Sequence, residues 1–281
     1  MARTDPLVSA AWLLDSIGSP YVRVLDATWV PPFLKDRPNG KALYAAQHIP
    51  NAPYFDIDDV ADNDTSLKHM LPNPTVFGQK VGALGIHNDA HVVVYDSNGF
   101  FASARVWWML RAMGHDAVSV LDGGLTAWVE AGGSVTSDVP SPIPATFHAT
   151  PKPDLVRDMN AMREHIARSD ISILDARAQG RFDGTAPEPR PELPSGHMPG
   201  SSCVPVTSLI DEDGTLKSEA ALAPMLTDYI AEPVVTSCGS GVSAAVISLA
   251  LARLGNWKAA VYDGSWSEWA AHSNNLIATT S

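Results

Sequence analysis

Short β-branched runs alternate with longer segments of helical period along this chain. Val92-Val93-Val94-Tyr95 and Pro233-Val234-Val235-Thr236 are compact apolar runs with no alternating polar positions. Such runs predict strands covered on both faces. Helical patterns follow over residues 103–113 and 242–254, and each runs into a glycine, Gly114 or Gly255, as helix C-termini prefer. Short strands come next, Ser119-Val120-Leu121 and Ala260-Val261-Tyr262. Strand, helix, strand predicts an α/β fold with a parallel sheet, flanking helices and right-handed crossovers. Ligands of such sheets sit beyond the carboxyl ends of the strands.

The pattern occurs twice. Val22-Arg23-Val24-Leu25-Asp26-Ala27 returns 149 positions later as Ile171-Ser172-Ile173-Leu174-Asp175-Ala176. Gln47-His48-Ile49-Pro50 returns at the same offset of 149 as Gly196-His197-Met198-Pro199. Leu121-Asp122-Gly123-Gly124 with Trp128 returns as Tyr262-Asp263-Gly264-Ser265 with Trp269, at an offset of 141. The first half therefore holds 8 extra residues, which we place in the polar stretch 56–74 as a long loop. Three landmarks in one order indicate duplication. Between the halves, residues 132–153 carry Pro140, Pro142, Pro144, Pro151 and Pro153 and read as a surface linker. The expected organisation is an N-terminal α/β domain at 1–135, a proline-rich linker at 136–153 and a C-terminal α/β domain at 154–281.

Charge narrows the function. With 19 Lys and Arg against 31 Asp and Glu, the net charge of −12 disfavours nucleic acid as a partner. The apolar run at 244–252 falls far short of the roughly 20 residues that cross a bilayer. The N-terminal stretch carries Asp5 within a broken apolar run, unlike a signal peptide. Only Cys203 and Cys238 are present, too few for a disulfide framework. A soluble cytoplasmic protein with reduced cysteines is expected. The histidines show no His-x-x-x-His pair and the cysteines no Cys-x-x-Cys, so no metal is expected. His48 and His197 occupy equivalent repeat positions, which a structural hydrogen bond in each half explains.

The chemistry concentrates in Ser237-Cys238-Gly239-Ser240-Gly241-Val242-Ser243-Ala244. Cys238 ends a strand, glycines follow, and a helix begins. Glycines let successive N–H groups turn toward one point. The helix adds unpaired N–H groups and the positive end of its dipole. A thiolate there is expected to be stabilised and nucleophilic. Gly239-x-Gly241-x-x-Ala244 with Asp263 also fits a dinucleotide fingerprint, but too few strands follow it. A cysteine phosphatase needs an arginine six residues after its cysteine, where Ala244 stands. No cofactor is expected. Cys203 lies in an apolar segment and reads as core. The matching loop of the first half, Asp96-Ser97-Asn98-Gly99-Phe100-Phe101, has no cysteine, so that half is expected to be catalytically silent.

The duplicated domain, Gly-His-Met-Pro-Gly at 196–200, Asp-Gly-Ser-Trp-Ser-Glu-Trp at 263–269 and the cysteine loop resemble tandem-domain rhodanese sulfurtransferases. The loop Cys-Gly-Ser-Gly-Val-Ser-Ala is similar to the 3-mercaptopyruvate branch, whereas the thiosulfate branch usually has arginine and lysine after the cysteine. Ser243 stands where that branch usually has threonine and keeps the hydroxyl. The resemblance implies two rhodanese-like domains, the second catalytic. It implies Cys238 as nucleophile, with Gly239, Ser240, Gly241, Val242 and Ser243 forming the loop that receives the substrate. It implies that Arg181 and Arg190, in Gly180-Arg181-Phe182 and Glu188-Pro189-Arg190, grip the substrate carboxylate. It further implies a Ser-His-Asp relay of Ser240, His69 and Asp58. The implied activity moves sulfur from 3-mercaptopyruvate to a thiol or cyanide through a Cys238 persulfide, releasing pyruvate. A thioredoxin-like dithiol protein is the implied acceptor. Thiosulfate sulfurtransferase and a non-catalytic sulfur-carrying interaction module are the alternatives.

Overall fold

The computed structural model describes residues 4–99 and 102–280. Two compact units are formed, and neither is one continuous stretch. The first comprises Met1–Asp62, Leu71–Lys152 and Asp211–Leu216; the second comprises Asn63–Met70, Pro153–Ile210 and Lys217–Ser281.

The first unit runs β1 (Leu7–Val8), α1 (Ala10–Ser16), β2 (Val22–Asp26), α2 (Gly40–Ala46), α3 (Pro74–Ala83), β3 (His91–Tyr95), α4 (Ser103–Ala112), β4 (Val118–Leu121) and α5 (Gly124–Glu130). Local chemistry sets the helix starts. Ser9, Asn39 and Asn73 accept from Trp12, Ala42 and Val76 N–H groups, and Pro74 opens α3 where no N–H is needed. The sheet is parallel throughout in the order β1-β4-β3-β2.

The second unit repeats this plan as β5 (Val156–Arg157), α6 (Met159–Arg168), β6 (Ser172–Asp175), α7 (Gln179–Asp183), β7 (Ser201–Cys203), α8 (Glu219–Leu226), β8 (Val234–Ser237), α9 (Ala244–Arg253), β9 (Ala260–Tyr262) and α10 (Ser265–Trp269). Its sheet is also parallel, in the order β5-β9-β8-β6-β7. The two-domain α/β expectation therefore holds. Among the described residues, the counterpart of the fifth strand, β7, in the first unit is a single Asp26–Tyr54 bridge. Equivalent residues fill both cores: Val24, Val93, Leu121, Leu125 and Trp128 in one, and Ile173, Val235, Tyr262, Trp266 and Trp269 in the other.

The repeat histidines are structural, as their positions suggest. His48 Nδ1 lies 2.8 Å from the Tyr44 carbonyl and His197 Nδ1 lies 2.8 Å from that of Phe182. Each ring stacks on the aromatic ring of its partner, at 4.0 and 3.8 Å. Residues 51–73 form neither helix nor strand, as the extra polar stretch predicts.

The proline-rich segment differs from the expected linker. Its non-proline N–H groups tie it to the first unit: Thr136 to His48 O at 2.9 Å, Ala145 to Gly82 O at 2.8 Å and Thr150 to Met113 O at 2.8 Å. Its own Phe147 is buried. The approach is so close that a Cβ on Gly82 would stand 2.4 Å from the Ala145 carbonyl oxygen.

Candidate active site

The buried strand β8 delivers Cys238 at its carboxyl end, 2 % exposed. Gly241 takes φ +77°, and α9 starts only at Ala244, two residues later than its apolar pattern predicts. The left-handed glycine turns the chain before the helix can begin. Among the described residues no side chain caps α9; its Ala245 and Val246 N–H groups turn back to the Val242 and Ser243 carbonyls, at 3.3 and 3.1 Å.

The start of α10 orients the loop. Trp266 N–H donates to the Cys238 carbonyl at 3.0 Å, and Ser267 N–H to that of Gly239 at 2.9 Å. The Ser267 hydroxyl also donates to Gly239 O. In a trans peptide the N–H opposes the C=O, so the Gly239 and Ser240 N–H groups point away from α10. Ser265 Oγ accepts from Cys238 N–H at 3.2 Å and donates to Tyr262 O at 2.8 Å. This serine holds φ +51°, where the first unit uses Gly124 at φ +56°.

Both predicted arginines face this loop. A Cβ on Gly239 would lie 3.3 Å from Arg181 Nη2 and 4.0 Å from Arg190 Nη1. Arg181 sits in α7, and its Nε and Nη2 donate to Glu188 at 3.1 and 2.5 Å. Buried Glu188 also accepts from Arg177 Nη1 at 2.9 Å. Arg177 is paired with both oxygens of Asp175, through Nε at 3.0 Å to each and Nη2 at 2.7 Å to Oδ2. Its guanidinium lies over Trp266 at 4.2 Å. Burial alone would favour a neutral Arg177, but Asp175 and Glu188 outweigh it and raise its pKa. Half-buried Arg190 has no side-chain hydrogen bond or ion pair among the described residues.

Ser240 is 8 % exposed, and its hydroxyl lies 3.1 Å from His69 Nδ1. His69 belongs to the segment counted with the second unit and holds φ +66°, uncommon for a non-glycine residue. Asp58 belongs to the first unit, is exposed, and accepts from the Trp29 indole at 2.9 Å. Val242 is buried and Ser243 half-buried within the loop. Cys238, Ser240, His69, Arg181 and Arg190 thus share one unit.

Sequence reasoning missed Asp175, Arg177 and the bridging role of Glu188. One signal was available. Asp175 repeats Asp26, and Arg177 stands two residues on, where the first half has Thr28.

The other cysteine is built differently. Half-buried Cys203 directs its thiol at the Arg177 carbonyl, 3.5 Å away. Burial, with the nearby Asp175 charge, pushes its pKa up to about 11, so it stays protonated at neutral pH.

The first unit holds an internal anion in the matching loop. Asp26 pairs with Tyr95 as Asp175 pairs with Ser237, so Asp96 corresponds to Cys238. Gly99 at φ +76° corresponds to Gly241 at +77°. The Asp96 carboxylate accepts from Ala102 N–H at 3.1 Å, Ser103 N–H at 2.9 Å and Asn98 N–H at 3.3 Å. Phe100 and Phe101 lie outside the described residues. Among the described residues, no cluster of three or more His, Cys, Asp or Glu could hold a metal ion, and no helix is long and apolar enough to cross a membrane.

Comparison with known proteins agrees with this architecture. The Rhodanese-like domain family matches residues 9–131 and again 158–272. The chain is 39 % identical over 305 residues to thiosulfate/3-mercaptopyruvate sulfurtransferase 2 of Arabidopsis thaliana, covering 100 % of this chain and 89 % of the relative. It is 42 % identical over 273 residues to thiosulfate sulfurtransferase of Rattus norvegicus, covering 94 % and 91 %. The crystal structure of SseA from Escherichia coli, a 3-mercaptopyruvate sulfotransferase, superposes with a TM-score of 0.84 at 36 % identity, covering 94 % of this chain and 99 % of that one. With two matched domains and relatives along its length, the chain belongs to the rhodanese family of sulfurtransferases.

Proposed function

We propose that the chain transfers sulfur from 3-mercaptopyruvate to a thiol or cyanide through Cys238. The observation that carries this reading is the position of two guanidinium groups beside Gly239, the residue after the cysteine. Guanidinium forks suit a carboxylate. The Cys238 thiolate attacks the sulfur of the donor, and an S–S bond forms as the donor's C–S bond breaks. The bonding pair leaves with carbon as the pyruvate enolate, which takes one proton at carbon. The Ser240 hydroxyl, held at His69 Nδ1, supplies the proton path. The resemblance assigns Asp58 as the third member of that relay. The persulfide then passes its outer sulfur to a thiolate or to cyanide, and the Cys238 thiolate returns. A thioredoxin-like dithiol protein is the acceptor class we assign.

Thiosulfate as donor is the second reading, because the Rattus norvegicus relative carries that name. Pyruvate release and sulfite release, measured with each donor, decide between them. A non-catalytic sulfur carrier would release neither. Cys238→Ser should abolish transfer, Cys203→Ser should retain it, and donor-treated protein should carry one added sulfur on the Cys238 peptide. A sulfur found on Cys203 instead would overturn the assignment.

A further inference from the structure

We infer that Glu188 sets the net charge presented at Cys238, and thereby selects a monoanionic sulfur donor over a dianionic one. The inference rests on the reading above that the donor binds beside Arg181 and Arg190. Two arginines beside a cysteine would ordinarily present two positive charges. Here one of them is already spent. Arg181 pairs with Glu188 through Nε and Nη2, at 3.1 and 2.5 Å. Glu188 is itself shared with Arg177, which is shared with Asp175. Along this chain two carboxylates balance two guanidiniums. Arg190, unpaired among the described residues, contributes the charge that is left over.

A mercapto-oxoacid brings one carboxylate, which one uncompensated charge balances. Thiosulfate brings two negative charges, and the second would enter a half-buried place without a counterion, which is costly. Glu188 also occupies the Nε edge of Arg181, so only its remaining N–H groups can reach a ligand. Glu188 is in this sense a positioning and specificity residue that acts through Arg181.

The test is kcat/KM for 3-mercaptopyruvate and for thiosulfate in wild type, Glu188→Gln and Arg181→Gln/Glu188→Gln, with folding checked by thermal melts. Glu188→Gln uncovers a second positive charge, so the thiosulfate-to-mercaptopyruvate ratio should rise roughly tenfold, and added salt should shrink the gain. The double variant removes a matched pair and leaves one charge, so its ratio should stay near that of wild type. A merely structural Glu188 would lower both donors together and leave the ratio of Glu188→Gln unchanged, which overturns the inference. If that variant does not fold, the double variant decides: two full cations in wild type would make its ratio fall. A wild type that consumes thiosulfate and releases no pyruvate overturns the donor reading instead. The response of thiosulfate to Glu188→Gln then still reports whether Glu188 masks a charge.

Discussion

At the scale of single residues, Arg181 and Arg190 look alike in sequence and differ in structure. Each stands within reach of Gly239, yet only Arg181 is held by a buried carboxylate. A charged hydrogen bond contributes roughly 1.5–3 kcal/mol. Arg190→Ala should therefore lower kcat/KM for 3-mercaptopyruvate by about tenfold to a hundredfold while leaving the melting temperature unchanged, since the side chain supports no other group. Arg181→Ala should lower kcat/KM and also lower the melting temperature, because Glu188 loses one of its two partners inside the protein. Arg→Lys at either position should recover only part of the activity, as an ammonium cannot form the paired contact. Steady-state kinetics with parallel melts read both effects. An Arg190→Ala enzyme with wild-type kcat/KM would return that arginine to the surface. Nothing in its own stretch of sequence distinguished either side chain from a solvated one. Family resemblance supplied the site, and the ion-pair chain supplied the difference.

At the scale of elements, the strand-loop-helix unit was legible because its signal is local. Apolar runs, glycines at the turn and a closing glycine all lie within about twenty residues of one another. The ion-pair chain was not legible, since no periodicity relates Arg177 to Glu188; the turn after α7 brings them together. The two loops share one backbone plan, with a left-handed glycine at the same position. In the first unit the loop N–H groups converge on the carboxylate of Asp96, and the equivalent of that residue in the second unit is Cys238. The first unit's loop is thus an anion cradle, filled by the chain's own carboxylate. Asp96→Ala should strand two buried N–H groups and cost about 1–3 kcal/mol of stability. Sulfate should restore part of that loss at constant ionic strength, and should do so far less in wild type. Equal responses to sulfate in both proteins would show that the loop is no cradle. The same contrast extends to the adjacent strands. Burial raises the pKa of Asp26, which has Thr28 beside it, whereas Asp175 is paired with Arg177.

At the scale of the whole molecule, duplication was legible from three landmarks, but the make-up of each unit was not. Residues 63–70 and 211–216 join the opposite unit from their neighbours in sequence, and such polar stretches carry no period to announce it. The proline-rich segment was misjudged for a related reason: proline counts reveal what a segment cannot form, not what it packs against. Its packing has a consequence for pH. Phe147, from that segment, meets the ring of His115 at 5.6 Å. His115 is 4 % exposed, and burial pushes its pKa down to about 4, opposed by hydrogen bonding to the backbone of Ala117 and Ala90. An unfolded histidine titrates near 6.5, so the unfolded chain binds more protons than the folded one between those values. Stability from this site is therefore fully present above about pH 6.5 and is lost as pH falls toward 4, by an amount on the order of 3 kcal/mol. Carboxylates also titrate at the lower end of that window, so the comparison must be with a variant. Urea unfolding of wild type and His115→Gln between pH 7 and pH 5 isolates the histidine. The variant should be less stable at pH 7, because Gln fills the site poorly, yet should lose less stability on acidification. Parallel pH profiles for the two proteins would mean that His115 accepts its proton without leaving the fold, and that the proline-rich segment is not held by a neutral ring.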